Sequence, residues 1–170
     1  EKTSARIVAN SLRQPDTQDP LGLTRAQFEA NPEQSPVAEQ FNTHKSTDNA
    51  QLGLALDHSF SAANSVKVVT YGGTREVEQF LAGPQNAATH SGGVVDLDRD
   101  FSGLGVRFTH RHQLSGGAGF NVVAGMDYER MKERRQGFLN FTGPAATPTA
   151  LGVRGNLKRN EDNTVSSFDQ

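Results

Sequence analysis

The stretch DRDFSGLGVRFTHRHQL, from Asp98 to Leu114, alternates with a period of two residues. One set of alternate positions is apolar or aromatic: Leu104, Val106, Phe108, His110, His112 and Leu114. The other set is small, polar or charged: Gly103, Gly105, Arg107, Thr109, Arg111 and Gln113. Successive side chains of a β-strand point to opposite faces of a sheet, so the stretch predicts a strand with one apolar face.

Two further segments alternate in the same way, Thr43 to Phe60 and Phe120 to Phe141. Their apolar sets are Leu52, Leu54, Leu56, His58 and Phe60 in the first, and Phe120, Val122, Ala124, Met126 and Tyr128 in the second. Ser65 to Leu81 is predicted as a return strand whose facing stays open, because Val66 and Val68 oppose Val69 and Tyr71. Shorter strands are predicted for Glu1 to Leu12 and Thr164 to Gln170.

The connections between these strands alternate between short and long. Tight turns are predicted at about 61–65 and 115–119, and long loops at about 13–42, 82–100 and 142–163. All tight turns then lie at one end of the sheet and all long loops at the other. The predicted fold class is all-β, an antiparallel up-and-down meander of about 5–6 long strands.

Composition excludes several classes of function. The 170 residues carry a formal net charge of −2 and no basic patch with interleaved aromatics, so we expect no nucleic-acid partner. Without cysteine, the chain has no disulfides, thiolate metal sites or cysteine nucleophiles. No apolar run approaches the ~20 residues of a spanning helix. The chain begins at Glu1 and ends inside a predicted strand, so we expect a fragment of a longer protein.

The two-faced strands fit either a soluble sandwich or a transmembrane barrel. Predicted strands of 14 to 22 residues, Phe101–Leu114 and Phe120–Phe141, exceed the ~3–10 usual in soluble sheets. The polar face is rich in Gly, Ala and Ser, and beyond Tyr128 both faces become charged. These features favour a barrel with its apolar face in lipid. Six strands would leave open edges, which lipid does not tolerate, so the sheet is predicted to be part of a larger barrel.

Several stretches resemble the β-barrel domain of TonB-dependent outer-membrane receptors of the siderophore-receptor type. They are RQPDTQDPLGLTRAQFEANP (13–32), FNTHKSTDNAQLGLALDHSF (41–60), YGGTREVEQFL (71–81), GGVVDLDRDFSG (92–103) and NLKRNEDNTVSSFDQ (156–170). The resemblance implies a 22-stranded barrel in the outer membrane of a Gram-negative cell, with long outer loops and short periplasmic turns. It also implies an N-terminal plug and a TonB-contacting motif, neither of which is among these residues. The implied function is TonB-dependent uptake of a scarce nutrient, foremost a ferric siderophore, with cobalamin, haem or a similar cofactor as alternatives.

No residue is predicted to be catalytic or to bind a metal or cofactor. His110 and His112 point the same way and could share a metal, but no third ligand is placed beside them, so a role at the membrane interface is favoured. Arg107 and Arg111, with Asp57, Asp127 and Glu129, are expected to form cross-strand salt bridges, with contact to an anionic ligand as the alternative. Asp96, Asp98 and Asp100 are expected to cap a loop and form salt bridges, because the calcium-loop pattern is absent.

The candidate ligand-binding residues are Arg154, Lys158 and Arg159, on the predicted outer loop 142–163, where cations could capture an anionic complex. A solvated loop without a ligand is the alternative. Two other classes of function stay open. A small soluble β-sheet binding module would bury Leu54, Val106 and Val122 against each other across two sheets. An outer-membrane enzyme ranks last, because no serine and histidine share a face in a suitable arrangement.

Overall fold

Long antiparallel strands make up most of the chain in the computed structural model, which describes residues 2–83 and 93–170. The strands are β1 (Thr3–Gln18), β2 (His44–Ser59), β3 (Asn64–Phe80), β4 (Val94–Gln113), β5 (Gly119–Phe138), β6 (Phe141–Thr142), β7 (Ala150–Leu151) and β8 (Leu157–Asp169). Two short helices, α1 (Arg25–Ala30) and α2 (Pro36–Phe41), lie between β1 and β2. The main sheet has the order β1-β2-β3-β4-β5-β8, and β6 pairs with β7. The predicted all-β antiparallel meander is confirmed, with six strands in one sheet.

Tight turns join β2 to β3 and β4 to β5 at the same end of the sheet. In the first, the backbone N–H of Phe60 donates to the carbonyl of Asn64 at 3.0 Å. In the second, Leu114 N–H donates to the carbonyl of Ala118 at 2.7 Å, and Gly116 and Gly117 have φ of 108° and 87°. Such positive φ values favour glycine, which explains the SGGAG sequence of this turn.

The strands run further toward the other end than alternation predicted. β1 continues past Leu12 to Gln18, β4 begins at Val94, and β8 begins at Leu157, so parts of the predicted loops 13–42, 82–100 and 142–163 are strand. Their backbones are paired in the ladder. In β1 and β8 the added residues are mostly polar on both faces, which removes the alternation signal, whereas in β4 Val95 and Leu97 alternate with Asp96, Asp98 and Asp100. Pro15 lies at a bulge of β1, an edge strand, where a missing N–H is tolerated. Of the predicted loop 82–100, residues 84–92 lie outside the described part.

Strand register sorts the side chains onto two faces. The apolar face contains the paired row Ile7, Leu54, Thr70, Leu104, Tyr128 and Phe168. The polar face contains the adjacent row Val8, Gly53, Tyr71, Gly103, Glu129 and Ser167. The same register settles the facing of β3, because Val66 and Val68 pair with Phe108 and Val106 on the apolar face.

The buried core lies at the end with the long connections. Its apolar members are Ala38, Phe80, Val94 and Phe141. Asn140 is fully buried among them, and its amide Nδ2 donates to the carbonyl of Leu81 at 2.7 Å. We call this region the loop-end core.

Candidate functional site

The apolar face carries a continuous band of apolar side chains next to the tight turns. We define this apolar band as Ala5, Ile7, Ala9, Leu52, Leu54, Leu56, Val66, Val68, Leu104, Val106, Phe108, Phe120, Val122, Ala124, Met126, Tyr128 and Phe168. Many of these residues are open to their surroundings: Leu52 and Phe168 are each 60% exposed, and Val122 is 49% exposed. Side chains this exposed have no layer of the described residues packed over them.

The band ends at a defined level on every strand. The first charged residues of the apolar face beyond it are Arg13, Asp48, Glu76, Asp100, Arg130 and Asp162. On β5 the band runs from Phe120 to Tyr128, nine residues, which matches the ~9–11 residues of a strand that crosses a bilayer at a tilt. The charges above it are cross-linked: Arg134 pairs with Asp98.

Glycines and aromatic rings are matched on the polar face. The Tyr71 ring lies over Gly103, where a Cβ would come within 2.5 Å of the ring carbon Cε1, and its hydroxyl donates to Glu129 Oε1 at 2.5 Å. The Phe101 ring lies over Gly73 in the same way, so that a Cβ on this glycine would come within 2.7 Å of the ring carbon Cζ. Each aromatic ring thus lies over a neighbouring strand and fills the space that a side chain at the glycine would need.

The predicted ladder of salt bridges on the polar face is wrong. Arg107, Arg111, Asp57, Asp127 and Glu129 do lie on that face, but the described residues show no ion pair among them within 4.0 Å. Direct neighbours explain this result. Arg107 is paired with Lys67 and Gly125 rather than with a carboxylate, and Glu129 accepts the hydrogen bond of the tyrosine.

Arg154, Lys158 and Arg159 do not form one binding cluster. The Arg154 guanidinium crosses the apolar face above the band, contacts the carboxylates of Glu78 and Asp96 (2.6 Å for the latter), and lies 4.4 Å from the centroid of the Phe138 ring. It therefore ties the segment between β7 and β8 to three strands.

The other two cations of that predicted set lie on β8. Arg159 is on the polar face and donates to Glu161 at 2.6 Å, which holds the pKa of that carboxyl below its ordinary value and raises the pKa of the arginine. Lys158 is exposed at the β5–β8 bulge and forms no ion pair within the described residues. Of the three predicted cations, Lys158 is therefore the one without an ion pair within the described residues.

The aspartates of β4 and the histidines have structural contacts. Asp96, Asp98 and Asp100 lie in a strand, so the predicted loop capping is wrong. The predicted ion pairing is confirmed for Asp96 by Arg154 and for Asp98 by Arg134, whereas Asp100 forms no ion pair within the described residues. His110 Nδ1 is 2.8 Å from Asn64 Oδ1, next to the tight turn. The imidazole of His112 lies 5.2 Å from the Phe120 ring, between centroids.

Over 2–83 and 93–170, no group of three or more metal-ligating side chains is assembled. No helix in the same ranges has the length and apolar character to cross a membrane. A scan of the sequence against models of known protein families finds no match.

Sequence reasoning missed one group of polar-face side chains beyond the band, among them Arg75, Arg99, Glu133 and Arg135. A usable signal exists for part of it: Arg99 continues the period-two set of Gly103 and Phe101, which places it on the polar face. Residues on other strands could be joined to it only through the register, which the sequence does not encode locally.

Proposed function

We propose that this chain is part of a larger, 22-stranded transmembrane β-barrel in the outer membrane, and that the barrel belongs to a TonB-dependent receptor. Its function would be energy-dependent uptake of a scarce nutrient, with a ferric siderophore as the foremost candidate and cobalamin, haem or a similar cofactor as alternatives. The observation that carries the membrane-barrel part of this proposal is the apolar band, which is continuous over the sheet, exposed, and bounded by charge. The receptor class and its nutrient rest on the resemblance of the sequence.

The band supports a lipid partner on energetic grounds. Burying apolar surface contributes about 25 cal/mol per Å², so side chains such as Leu52 and Phe168, each 60% exposed, would lose much of that contribution in water. Contiguous exposed apolar patches of this kind mark interaction sites with protein or membrane. Tyr128 and Phe120 at the two limits of the band on β5 correspond to the aromatic girdles of transmembrane barrels.

The edges of the sheet support a closed barrel. β1 and β8 are edge strands of 16 and 13 residues, and each has a neighbour on one side only within the described residues. In hydrocarbon, unpaired N–H and C=O groups cost several kcal/mol each, so an open sheet would not persist there. Further strands of the proposed parent barrel would pair with both edges, and its plug region would contact the TonB complex.

The soluble binding module receives no comparable support. It predicts that Leu54, Val106 and Val122 bury one another across two sheets, whereas all three lie on the same face of one sheet. Val122 is also 49% exposed. That no residue is catalytic stays a prediction.

A matched pair of arginine substitutions on β4 tests the membrane proposal in the complete polypeptide encoded by the gene. Val106→Arg places a charge in the middle of the apolar band, where lipid would impose about 2–4 kcal/mol. Thr109→Arg places the same charge on the polar face of the same strand. We expect heat-modifiable, outer-membrane-assembled protein for Thr109→Arg and a strong loss of that form for Val106→Arg.

Either of two results would overturn the proposal. One is normal assembly of Val106→Arg together with failure of Thr109→Arg, because that would invert the faces. The other is a wild-type polypeptide that is recovered as a water-soluble, cooperatively folding monomer without detergent.

A further inference from the structure

Arginines from four adjacent strands lie along one diagonal of the polar face, beyond the level of the apolar band. They are Arg75 on β3, Arg99 on β4, Arg135 on β5 and Arg159 on β8. Arg75 and Arg99 are direct register partners, which places their Cα atoms about 5 Å apart. Arg135 and Arg159 follow at diagonal positions, since Arg99 pairs with Glu133 and Arg135 pairs with Glu161. We call this set the arginine diagonal.

Among the described residues, only two of its members form an ion pair with a carboxylate, and Arg135 lies near enough to Glu161 to help lower the pKa of that carboxyl. Arg99 Nε donates to Glu133 at 3.0 Å, and the Glu133 side chain is only 11% exposed, so this pair is held firmly in place. Arg159 forms an ion pair with the carboxylate of Glu161 at 2.6 Å. Glu161 is nevertheless the register partner of Arg135, not of Arg159. Among the described residues, Arg75 and Arg135 form no ion pair within 4.0 Å.

This arrangement disfavours the sheet by itself. Like charges directly opposite each other on neighbouring strands are destabilising, and Arg75 faces Arg99 rather than a carboxylate. Local arrangements that cost stability are expected mainly at functional or strained sites, and the guanidinium groups of Arg75 and Arg135, which form no ion pair among the described residues, are available to bind an anion. Guanidinium forks bind oxyanions in a bidentate manner, which gives geometric specificity as well as affinity.

We propose that the arginine diagonal is a binding site for an anionic, oxygen-rich ligand, with Arg75 and Arg135 as the residues that contact it. The proposal rests on the proposed function, under which the polar face lines the barrel lumen, and it sharpens that function. The transported complex would present catecholate or carboxylate oxygens with net negative charge, rather than being a neutral chelate.

The test uses the complete receptor in detergent and three defined probes. These are a ferric tris-catecholate complex and a ferric polycarboxylate complex, both anionic, and a neutral ferric trihydroxamate complex. We compare wild type with Arg75→Gln, Arg135→Gln and the double variant. Arg130→Gln is the matched control, because Arg130 lies on β5 like Arg135 but on the opposite face.

We expect the wild type to bind at least one anionic probe about tenfold or more tightly than the neutral one. Each single substitution should weaken that binding by about tenfold, the scale of one charge-assisted hydrogen-bonded pair. Arg130→Gln should leave it unchanged within twofold. The substituted receptors should remain assembled at normal levels, since removing Arg75 relieves a like-charge contact.

The remaining outcomes each overturn a distinct claim. If the double variant binds the anionic probes within twofold of wild type, the arginine diagonal is not the site. If wild type prefers the neutral complex, the inference fails while the receptor proposal stands. If an assembled wild type binds none of the three complexes, the proposal that the receptor takes up ferric chelates is wrong, and this inference is wrong with it.

Discussion

The loop-end core and the apolar band both contain apolar side chains, but these side chains are buried in the loop-end core and largely exposed in the apolar band. At the loop-end core, Val94 is fully buried and Phe141 is 2% exposed, so other described residues cover both side chains. In the apolar band, Leu52 and Phe168 stay 60% exposed. The chain thus supplies its own partner in one region, and our proposal assigns the partner of the other region to lipid.

Packing detail follows the same division. At the loop-end core Gly93 lies directly against the buried Asn140, so close that a Cβ on this glycine would come within 2.7 Å of the asparagine Cβ. The Arg154 guanidinium lies over the Phe138 ring and pairs with Glu78 on β3 and Asp96 on β4. These contacts hold the segment between β7 and β8 against the sheet. Such mutual fit is typical of protein interiors, whereas a fluid lipid partner requires only that the surface be apolar.

The largest effect is expected from phenylalanine-to-alanine substitutions that contrast the two regions in the complete polypeptide. Phe141→Ala should cost about 3–5 kcal/mol, because it opens a cavity in a packed interior. Phe120→Ala should cost roughly 1 kcal/mol, since the ring is 49% exposed and only part of its contact is with protein. The measurement is the free energy of unfolding in detergent, with protease cleavage between β5 and β8 as a local readout.

If Phe120→Ala proved as destabilising as Phe141→Ala, the band would be covered by protein rather than by lipid. Increased cleavage between β5 and β8 in Phe141→Ala alone would locate the damage in the loop-end core.

Alternation predicted the sheet well wherever one face is apolar. The sets Leu52–Leu56, Leu104–Phe108 and Val122–Tyr128 lie together on the apolar face, as their periodicity indicates. Beyond the band, β1 and β8 are mostly polar on both faces, so alternation gives no signal for their added residues. The prediction also underestimated β4, although Val95 and Leu97 alternate with Asp96, Asp98 and Asp100 there. In β1 and β8, backbone pairing extends the strands without leaving an apolar pattern.

The candidate site was harder to predict because its contacts join residues that are distant in sequence. Arg154 was expected to be a free cation on a loop, but its carboxylate partners, Glu78 and Asp96, come from two other strands. Arg75 and Arg99 become neighbours only through the register of β3 and β4. Charge and exposure can be inferred from sequence, whereas the choice of partner depends on register.

A smaller effect is expected from filling glycine positions in the paired row of the polar face. Gly103→Ala should cost about 1–3 kcal/mol, because its Cβ would displace the Tyr71 ring and break the hydrogen bond to Glu129. Gly53→Ala is the control on the other side of the same ring, where the nearest atoms to an added Cβ lie at an ordinary 3.7 Å. Thermal unfolding of the two variants measures the difference, and equal stability would show that the ring can move without cost.

The smallest effect concerns the half-buried pair of Arg159 and Glu161, which lies beyond the apolar band at the same end as the loop-end core. The hydrogen bond from Arg159 holds the pKa of Glu161 below its ordinary 4.5, so the contribution of this carboxylate to stability is fully present above that pH. It is lost as the pH falls through the lowered pKa, because the protonated acid no longer attracts the guanidinium. A carbon-detected NMR titration of Glu161 in detergent measures the shift, and Arg159→Gln should return the pKa toward the ordinary value. A Glu161 pKa at or above that value in the wild type would mean that water, and not Arg159, solvates the carboxylate at this level of the sheet.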